Sequence, residues 1–324
     1  MREIAGRVLV TGATGFVGGH LCETLTAAGY IVRSAVRTTP PGRPLRSAEV
    51  VLVGEIDKET HWEEALRGVD LVVHAAARAH VLGDPAANSH LYFDVNAHGT
   101  HRLALAAAKA GVQRFVYLSS IKVNGEESVG RAYSSADVPQ PQDAYGASKL
   151  LGERLLAEVG ANSKMAIATV RPPLVYGSGV RANFLRLLSW VHKGVPLPLG
   201  AVKNTRSLIS VWNLCDLVML LLQHPAAPGQ VWLASDGLDL STPGLITRLG
   251  AALARPVHLL PVPVGLLRLG GLVCGKRAMV ERLCGSLVVD ITPTRDQLGW
   301  SPPLSVDDSL ARTAAWYLSG SDRG

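Results

Sequence analysis

Cysteine is scarce in this chain: four in 324 residues, at positions 22, 215, 274 and 284, with no CxxC pair and no histidine at zinc-ligand spacing. This excludes a disulfide-built scaffold and a cysteine-based metal site, and fits reduced thiols in a cytoplasmic protein. Long apolar runs are missing too. The two most apolar stretches, 214–222 and 257–274, are broken by Asp216 and Arg268, so neither is expected to span a bilayer. The first seven residues carry neither the basic nor the apolar region of a secretory signal. Repeats and low-complexity tracts are lacking. The net charge of +6 comes from dispersed residues, with no Lys/Arg run interleaved with aromatics. That argues against nucleic acid as a partner and suits a small polyanionic ligand. Neither nucleic acid nor a membrane is expected as a partner.

What is present is an ordinary globular composition, 48% hydrophobic and 18% charged, long enough to bury a full core. Apolar runs at 7–11, 31–36, 50–53, 70–74, 114–119 and 166–171 read as strands. Helical patterns at 15–28, 62–67, 85–110 and 144–159 separate them. This alternation predicts an α/β fold, a Rossmann-type doubly wound parallel sheet with its ligand at the strands' carboxyl ends. After Arg171 prolines interrupt the rhythm, which predicts a smaller, irregular C-terminal lobe. The expected division is 1–172 for a dinucleotide and 173–324 for the substrate, with the chain free to cross back. Thr38–Pro44 reads as an exposed loop.

Between the first strand and first helix lies Thr11-Gly12-Ala13-Thr14-Gly15-Phe16-Val17-Gly18. Glycines so spaced allow a tight turn, close approach of backbone to a pyrophosphate, and tight helix–strand packing. Gly12, Gly15, Phe16, Val17 and Gly18 are therefore assigned to the dinucleotide. An NAD site usually ends its second strand in an acid that bonds the ribose 2′-OH. Here that strand ends Ser34-Ala35-Val36-Arg37. An arginine can instead pair with a 2′-phosphate, so NADP(H) is preferred, with NAD as the alternative. Arg37 is the expected contact, and Arg33 or Arg43 could help. Ile56 and Asp57 after the third strand are placed to meet adenine, and Ala75, Ala76 and Ala77 after the fourth to run beside the cofactor.

Tyr145 and Lys149 stand four residues apart at the start of a helical segment, so they share a face. A free phenol titrates near 10, and acid–base work near neutrality needs a fall of roughly 3, about 4 kcal/mol. A neighbouring ammonium and a charged nicotinamide both favour phenolate. Ser119 and Ser120 end the fifth strand; Ser120 could bond the oxygen that Tyr145 protonates or deprotonates.

The GxxGxxG turn, the YxxxK pair and Ser120 together resemble the extended short-chain dehydrogenase/reductase family, in its branch of nucleotide-sugar 4-epimerases, 4-keto reductases and dehydratases. The resemblance covers nearly the whole chain. It implies roles for Asn96 in a segment similar to NVxGT, for Ser119, and for Pro172 and Val175 in RPPLVYG beside the nicotinamide. It also implies substrate contacts at Lys122, Asn183, Leu199 and Arg206, with UDP the implied nucleotide and Arg206 the implied diphosphate ligand. Arg78 and His80 lie where relatives approach the sugar and receive no role. LGWSP at 298–302 matches a C-terminal packing signature. The helices at 85–110 and 144–159 resemble those that join relatives into homodimers through a four-helix bundle.

Dehydratases and decarboxylases of this family carry acids directly after the strand-five hydroxyl. Ile121-Lys122-Val123-Asn124 stands there instead, which disfavours both chemistries. Two remain: reduction of a C4 ketone by NADPH with Tyr145 as proton donor, which Arg37 favours, and 4-epimerisation with retained NAD. A non-catalytic dinucleotide sensor is a third, remote possibility, since such relatives typically lose the YxxxK pair retained here.

Overall fold

The computed structural model describes residues 6–38, 47–79, 88–275 and 277–320. The parts of the expected 38–44 loop and 85–110 helix that fall outside these ranges, with Arg43 and His80, lie outside the described residues. Seven parallel strands form one sheet in the order β3-β2-β1-β4-β5-β6-β9. They are β1 (Arg7–Thr11), β2 (Ile31–Val36), β3 (Glu49–Leu52), β4 (Leu71–His74), β5 (Arg114–Leu118), β6 (Ala166–Arg171) and β9 (Val231–Leu233). The order reverses between β1 and β4, and a doubly wound sheet opens its crevice there. Strands β1 and β4 read as near-continuous apolar runs because helices cover both faces; Val8, Leu9, Val10, Val72 and Val73 have no exposed surface.

One core lies under α1 (Phe16–Ala27) and α6 (Val211–Gln223), the other under α3 (Thr100–Lys109) and α4 (Ala144–Ala161). The helix entered at α2 (Ser89–Phe93) continues through a π-helical turn, Asp94–Gly99, into α3. Such wide turns release backbone groups for other uses. Here the Asn96 carbonyl accepts from Tyr117 Oη at 3.1 Å and Thr100 Oγ1 at 2.9 Å.

The pattern at 62–67 is not a helix. Leu66 N bonds Trp62 O, but Gly68 at φ +66° ends the segment after a single turn. Trp62 and Leu66 are nonetheless core residues, so the periodicity reported burial rather than helix.

Beyond β6 the chain builds the short parallel pair β7 (Leu174–Tyr176) and β8 (Leu208–Ser210). The helices α5 (Ala182–His192), α7 (Thr242–Ala252), α8 (Val264–Val273), α9 (Arg277–Cys284), α10 (Thr292–Leu298) and α11 (Val306–Ser319) follow around it. Their core, centred on Leu188, Ile246, Leu249 and Leu310, is separate from the two sheet cores, and Phe16 packs against both it and the α1 side. The chain re-enters the large sheet with α6 and β9 before returning to this region.

Candidate active site

The glycine turn follows β1 directly. Gly12 adopts φ +69°, a conformation that side chains disfavour, and a Cβ there would lie 2.7 Å from the Ala76 amide nitrogen. A Cβ at Gly18 would come within 2.0 Å of the Gly12 carbonyl oxygen. The turn is thus pressed against the chain leaving β4 and against its own helix. Gly15 caps α1 without a side-chain hydrogen bond, so the first amides of a 12-residue helix are left for a ligand. A nicotinamide dinucleotide fits this cradle: bare backbone at the switch point and a positive dipole end beneath it.

Behind the cradle runs a buried polar chain. Ala76 N donates to Thr11 Oγ1 at 3.2 Å, Thr11 Oγ1 meets His74 Nδ1 at 2.7 Å, and His74 Nε2 meets Thr100 Oγ1 at 2.8 Å. Thr100 donates its own proton to Asn96 O. It must therefore accept from His74 Nε2–H, which leaves Nδ1 to accept from Thr11. Burial and the nearby Lys149 push His74 down to about 3, so the imidazole stays neutral.

Asn96 has no exposed surface and pins the loop after β4 from the side. Its Oδ1 accepts from Arg78 N at 2.8 Å, and its Nδ2 donates to Arg78 O and to Ser148 Oγ, both at 3.0 Å. Asn96 therefore positions Ala75–Ala77 and α4 rather than reaching a ligand with its amide. Gly99 permits a second close approach, because a Cβ would strike Ile56 Cγ2 at 2.7 Å; its absence lets the Ile56–Asp57 loop close on the helix. Asp57 Oδ1 accepts from Glu59 N at 2.8 Å, which fixes the loop.

Tyr145 begins α4, whose N-cap Asp143 accepts from Gly146 N at 2.7 Å. Gly146 brings this helix end against the turn Ile121–Val123; a Cβ would sit 2.7 Å from Lys122 O. That turn is capped by Ser120, and its Ile121 N bonds Pro172 O at 3.0 Å, so the ends of β5 and β6 are joined. The result is that the Ser120 hydroxyl stands beside the Tyr145 phenol and lowers its pKa. Lys149, one turn along, is 1% exposed, and its Nζ lies 4.2 Å from the centre of the Tyr117 ring. Ser120 thus stands beside Tyr145, with Lys149 one turn along α4, but the acidity differs from expectation. Burial pushes the phenol up to about 12, with Ser120 opposing, and burial pushes Lys149 down to about 7, with Glu153 opposing. In the free protein desolvation, with the charge of Asp143 adding to it, outweighs the effect of Ser120.

Glu153 is a site residue that the sequence reading does not single out, although it continues the face of Tyr145 and Lys149 at a further step of four. It forms a bidentate pair with Arg171, Nε–Oε1 at 2.9 Å and Nη2–Oε2 at 2.6 Å. Ser119 Oγ donates to the same carboxylate. Ser119 is therefore a support for β5, β6 and α4, and its hydroxyl is not presented to a cofactor. Arg171 Nη1 also holds Asn124 Oδ1 at 2.9 Å.

Other expected contacts are redirected. Arg37 pairs with Glu55 at 3.2 Å, with side chains 69% and 73% exposed, so this arginine is not held ready for a phosphate. Arg33 is committed to Glu49 at 2.6 Å and to the carbonyls of residues 64, 65 and 67. Lys122 is tied to Glu126 at 2.7 Å and Asp143 at 2.5 Å. Leu199 sits in the second lobe's core, while Asn183 stands exposed on the first turn of α5. Pro172 is buried, and Val175 packs beside the sheet core. Arg206 donates to Arg282 O and Gly285 O, both at 2.9 Å, and has no carboxylate within ion-pair distance among the described residues. Burial above all lowers its pKa, Arg282 adds to this, and the nearby Glu127 and Glu126 oppose it; the buried Arg282 Nε lacks a partner. Two arginines thus stand together with carboxylates nearby but no ion pair among the described residues, a feature the sequence position of Arg282 did not disclose.

The fold, the glycine cradle and the Ser–Tyr–Lys set define a dinucleotide-dependent enzyme of the extended short-chain dehydrogenase/reductase class. The chain belongs to the NAD dependent epimerase/dehydratase family, which it matches over residues 8–234. It is 43% identical to a UDP-glucose 4-epimerase of Vibrio cholerae, across 99% of this chain and 98% of that one. The solved structure of MoeE5 in complex with UDP-glucose and NAD is 25% identical, covers 98% of this chain and 100% of its own, and superposes with a TM-score of 0.76. UDP-glucuronic acid 4-epimerase from Bacillus cereus in complex with NAD shares the fold at 22% identity, TM-score 0.76, over 97% and 99% of the two chains. The described residues contain no helix long and apolar enough to cross a membrane.

Proposed function

We propose that this enzyme is a UDP-sugar 4-epimerase that keeps NAD bound through its cycle. The observation that carries this reading is the Tyr145 phenol, beside Ser120 and one helical turn from buried Lys149. The segment after Ser120 carries no acid: Ile121-Lys122-Val123 offers none for elimination. Similarity to a named UDP-glucose 4-epimerase at 43% identity supports epimerisation over net reduction. The preference for NADP(H) gives way accordingly, since it rested on Arg37, which is exposed and paired.

Gly12, Gly15, Phe16, Val17 and Gly18 would hold the pyrophosphate, Ile56 and Asp57 the adenine, and Ala75–Ala77, Lys149, Pro172 and Val175 the nicotinamide half. When bound, the nicotinamide supplies a hydride acceptor and donor. Tyr145 removes the C4 hydroxyl proton of the sugar and later returns it to the C4 oxygen. Ser120 holds that oxygen within reach of the phenol. Arg206 and Arg282 would take the substrate diphosphate, and Asn183, exposed on the first turn of α5, would add a further substrate contact. Residues 1–172, with the returning α6 and β9, form the dinucleotide half of this arrangement; the rest of 173–324 forms the nucleotide-sugar half. A homodimer through α3 and α4, with Leu105 exposed on α3, belongs to the same proposal.

The test is direct. Purified protein incubated with UDP-glucose or UDP-N-acetylglucosamine alone is expected to interconvert the 4-epimers, and Tyr145→Phe to lose at least about a hundredfold in rate. The second reading, C4-keto reduction by NADPH, is favoured by the missing acid at the end of β2. Oxidation of NADPH only in the presence of a UDP-4-keto sugar, with no epimer formed, would establish it instead.

A further inference from the structure

The helix α8 presents the wrong face to water. Its inward residues are Val264, Leu267 and Gly271; the two hydrophobes pack on the second lobe's core, and Gly271 is buried. Its outward residues are Leu266, Leu269, Leu272 and Val273, which are 59%, 58%, 60% and 80% exposed. A surface helix normally turns charged and polar side chains outward. Here the outward side is leucine, valine and glycine with a single arginine, Arg268, along about 15 Å of helix. Leu260, on the loop leading in, adds a fifth apolar side chain at 48% exposure.

Charge gathers around the same segment. Between residues 255 and 282 stand Arg255, Arg268, Lys276, Arg277 and Arg282 against a single acid, Glu281. A local net charge of +4 in 28 residues compares with +6 for the entire chain. Of these, Arg277 pairs with Glu281 at 2.7 Å and Arg282 stands at Arg206, which leaves exposed Arg255 and Arg268 as the free charges of the described stretch. An apolar stripe with exposed arginines close by in sequence suits a helix that lies in the headgroup region of an anionic bilayer, apolar side in the acyl boundary and cations on lipid phosphates.

We propose that the α8 face docks this enzyme on an anionic membrane surface, without spanning it. This revises the expectation that a membrane is not a partner. The docking segment is also tied to the substrate lobe. The strand-like bridge Leu197–Leu259 and the bond from Gly200 N to Leu260 O hold its start, and Arg206 holds its end through the carbonyls of Arg282 and Gly285. Docking would therefore set the mouth of the nucleotide-sugar lobe close to the lipid headgroups.

Vesicle co-sedimentation tests this independently of the reaction. Full-length protein at low salt is expected to sediment with phosphatidylcholine vesicles containing about 30% phosphatidylglycerol, and roughly tenfold less with pure phosphatidylcholine. Leu266→Ser/Leu269→Ser/Leu272→Ser is expected to abolish sedimentation, and Arg255→Glu/Arg268→Glu to reduce it roughly tenfold. All five positions are exposed, so the melting temperature and turnover of a soluble substrate should stay unchanged. Absence of sedimentation with the anionic vesicles overturns the proposal, as does a serine variant that binds like the parent. Concentration-dependent self-association lost in the serine variant, with no vesicle binding in either protein, overturns it in favour of an interface between copies.

Discussion

Replacing Glu153 by glutamine isolates the buried ion pair under the catalytic helix. Arg171 and Glu153 have side chains only 4% and 8% exposed, and the guanidinium makes two of its three side-chain bonds to this carboxylate. Glutamine keeps one acceptor but turns an amide N–H₂ toward a guanidinium N–H, and it leaves a buried cation uncompensated. Breaking one partner of such a pair costs about 3–5 kcal/mol, whereas exchanging both for apolar groups is often near neutral. In the double variant Glu153→Met/Arg171→Met, Ser119 and Asn124 still lose partners, worth about 1–3 kcal/mol together. Urea unfolding followed by circular dichroism should therefore give a coupling of at least about 2 kcal/mol in the double-mutant cycle. Glu153 also supports the charged form of Lys149, so its loss should move the ammonium's titration further below about 7, readable by NMR of the lysine. A single-variant cost under about 1 kcal/mol, or additive effects, would refute the assignment of this pair as the brace of β5, β6 and α4.

Gly18→Ala should abolish dinucleotide retention while costing about 1–3 kcal/mol in stability, because its Cβ would meet the Gly12 carbonyl at 2.0 Å; cofactor fluorescence and thermal melts read the two effects. The neutral His74 makes stability depend on pH. Its folded value of about 3 lies below the unfolded 6.5, so its contribution is complete above 6.5 and is lost as pH falls from there toward 3. The slope it adds is at most about 1.4 kcal/mol per pH unit, and His74→Gln should remove about one proton from the slope measured between about pH 4 and 6. Arg37→Ala should change NAD affinity by less than about fivefold, since an exposed pair contributes under about 1 kcal/mol; calorimetry with NAD and NADP side by side checks it, and a selective tenfold loss for NADP would restore Arg37 as a phosphate contact.

Elements defined by local pattern were legible in the sequence. The boundaries of β1 and β2 agree with their apolar runs to the residue, and the glycine turn declared itself by lying between strand and helix. Tyr145 and Lys149 were visible because helical spacing alone brings positions four apart together. What stayed hidden depends on contacts between distant segments. Glu153 meets Arg171 across 18 residues, and His74 links Thr11 to Thr100 across 63 and 26 residues. Arg37 misled for the opposite reason: its position at the end of β2 is local, but its partner Glu55 comes from beyond β3. The segment at 62–67 shows that a short apolar period reports only which side chains are buried.

The charge balance of the pair at positions 145 and 149 constrains how the site can be activated. With the phenol at about 12 and the ammonium at about 7, neutral solution holds a protonated tyrosine beside a lysine that is only half charged. Bringing the phenol to neutrality requires roughly 7 kcal/mol of preferential stabilisation of phenolate. A half-discharged lysine cannot provide that alone, even with Glu153 favouring its charged form. The remainder must come from positive charge brought in with the ligands, next to the Tyr145 hydroxyl beside Ser120. An enzyme that released its dinucleotide at every turnover would have to rebuild that activation each time. One that retains it, as an epimerase does, keeps the tyrosine ready for both the removal and the return of the proton.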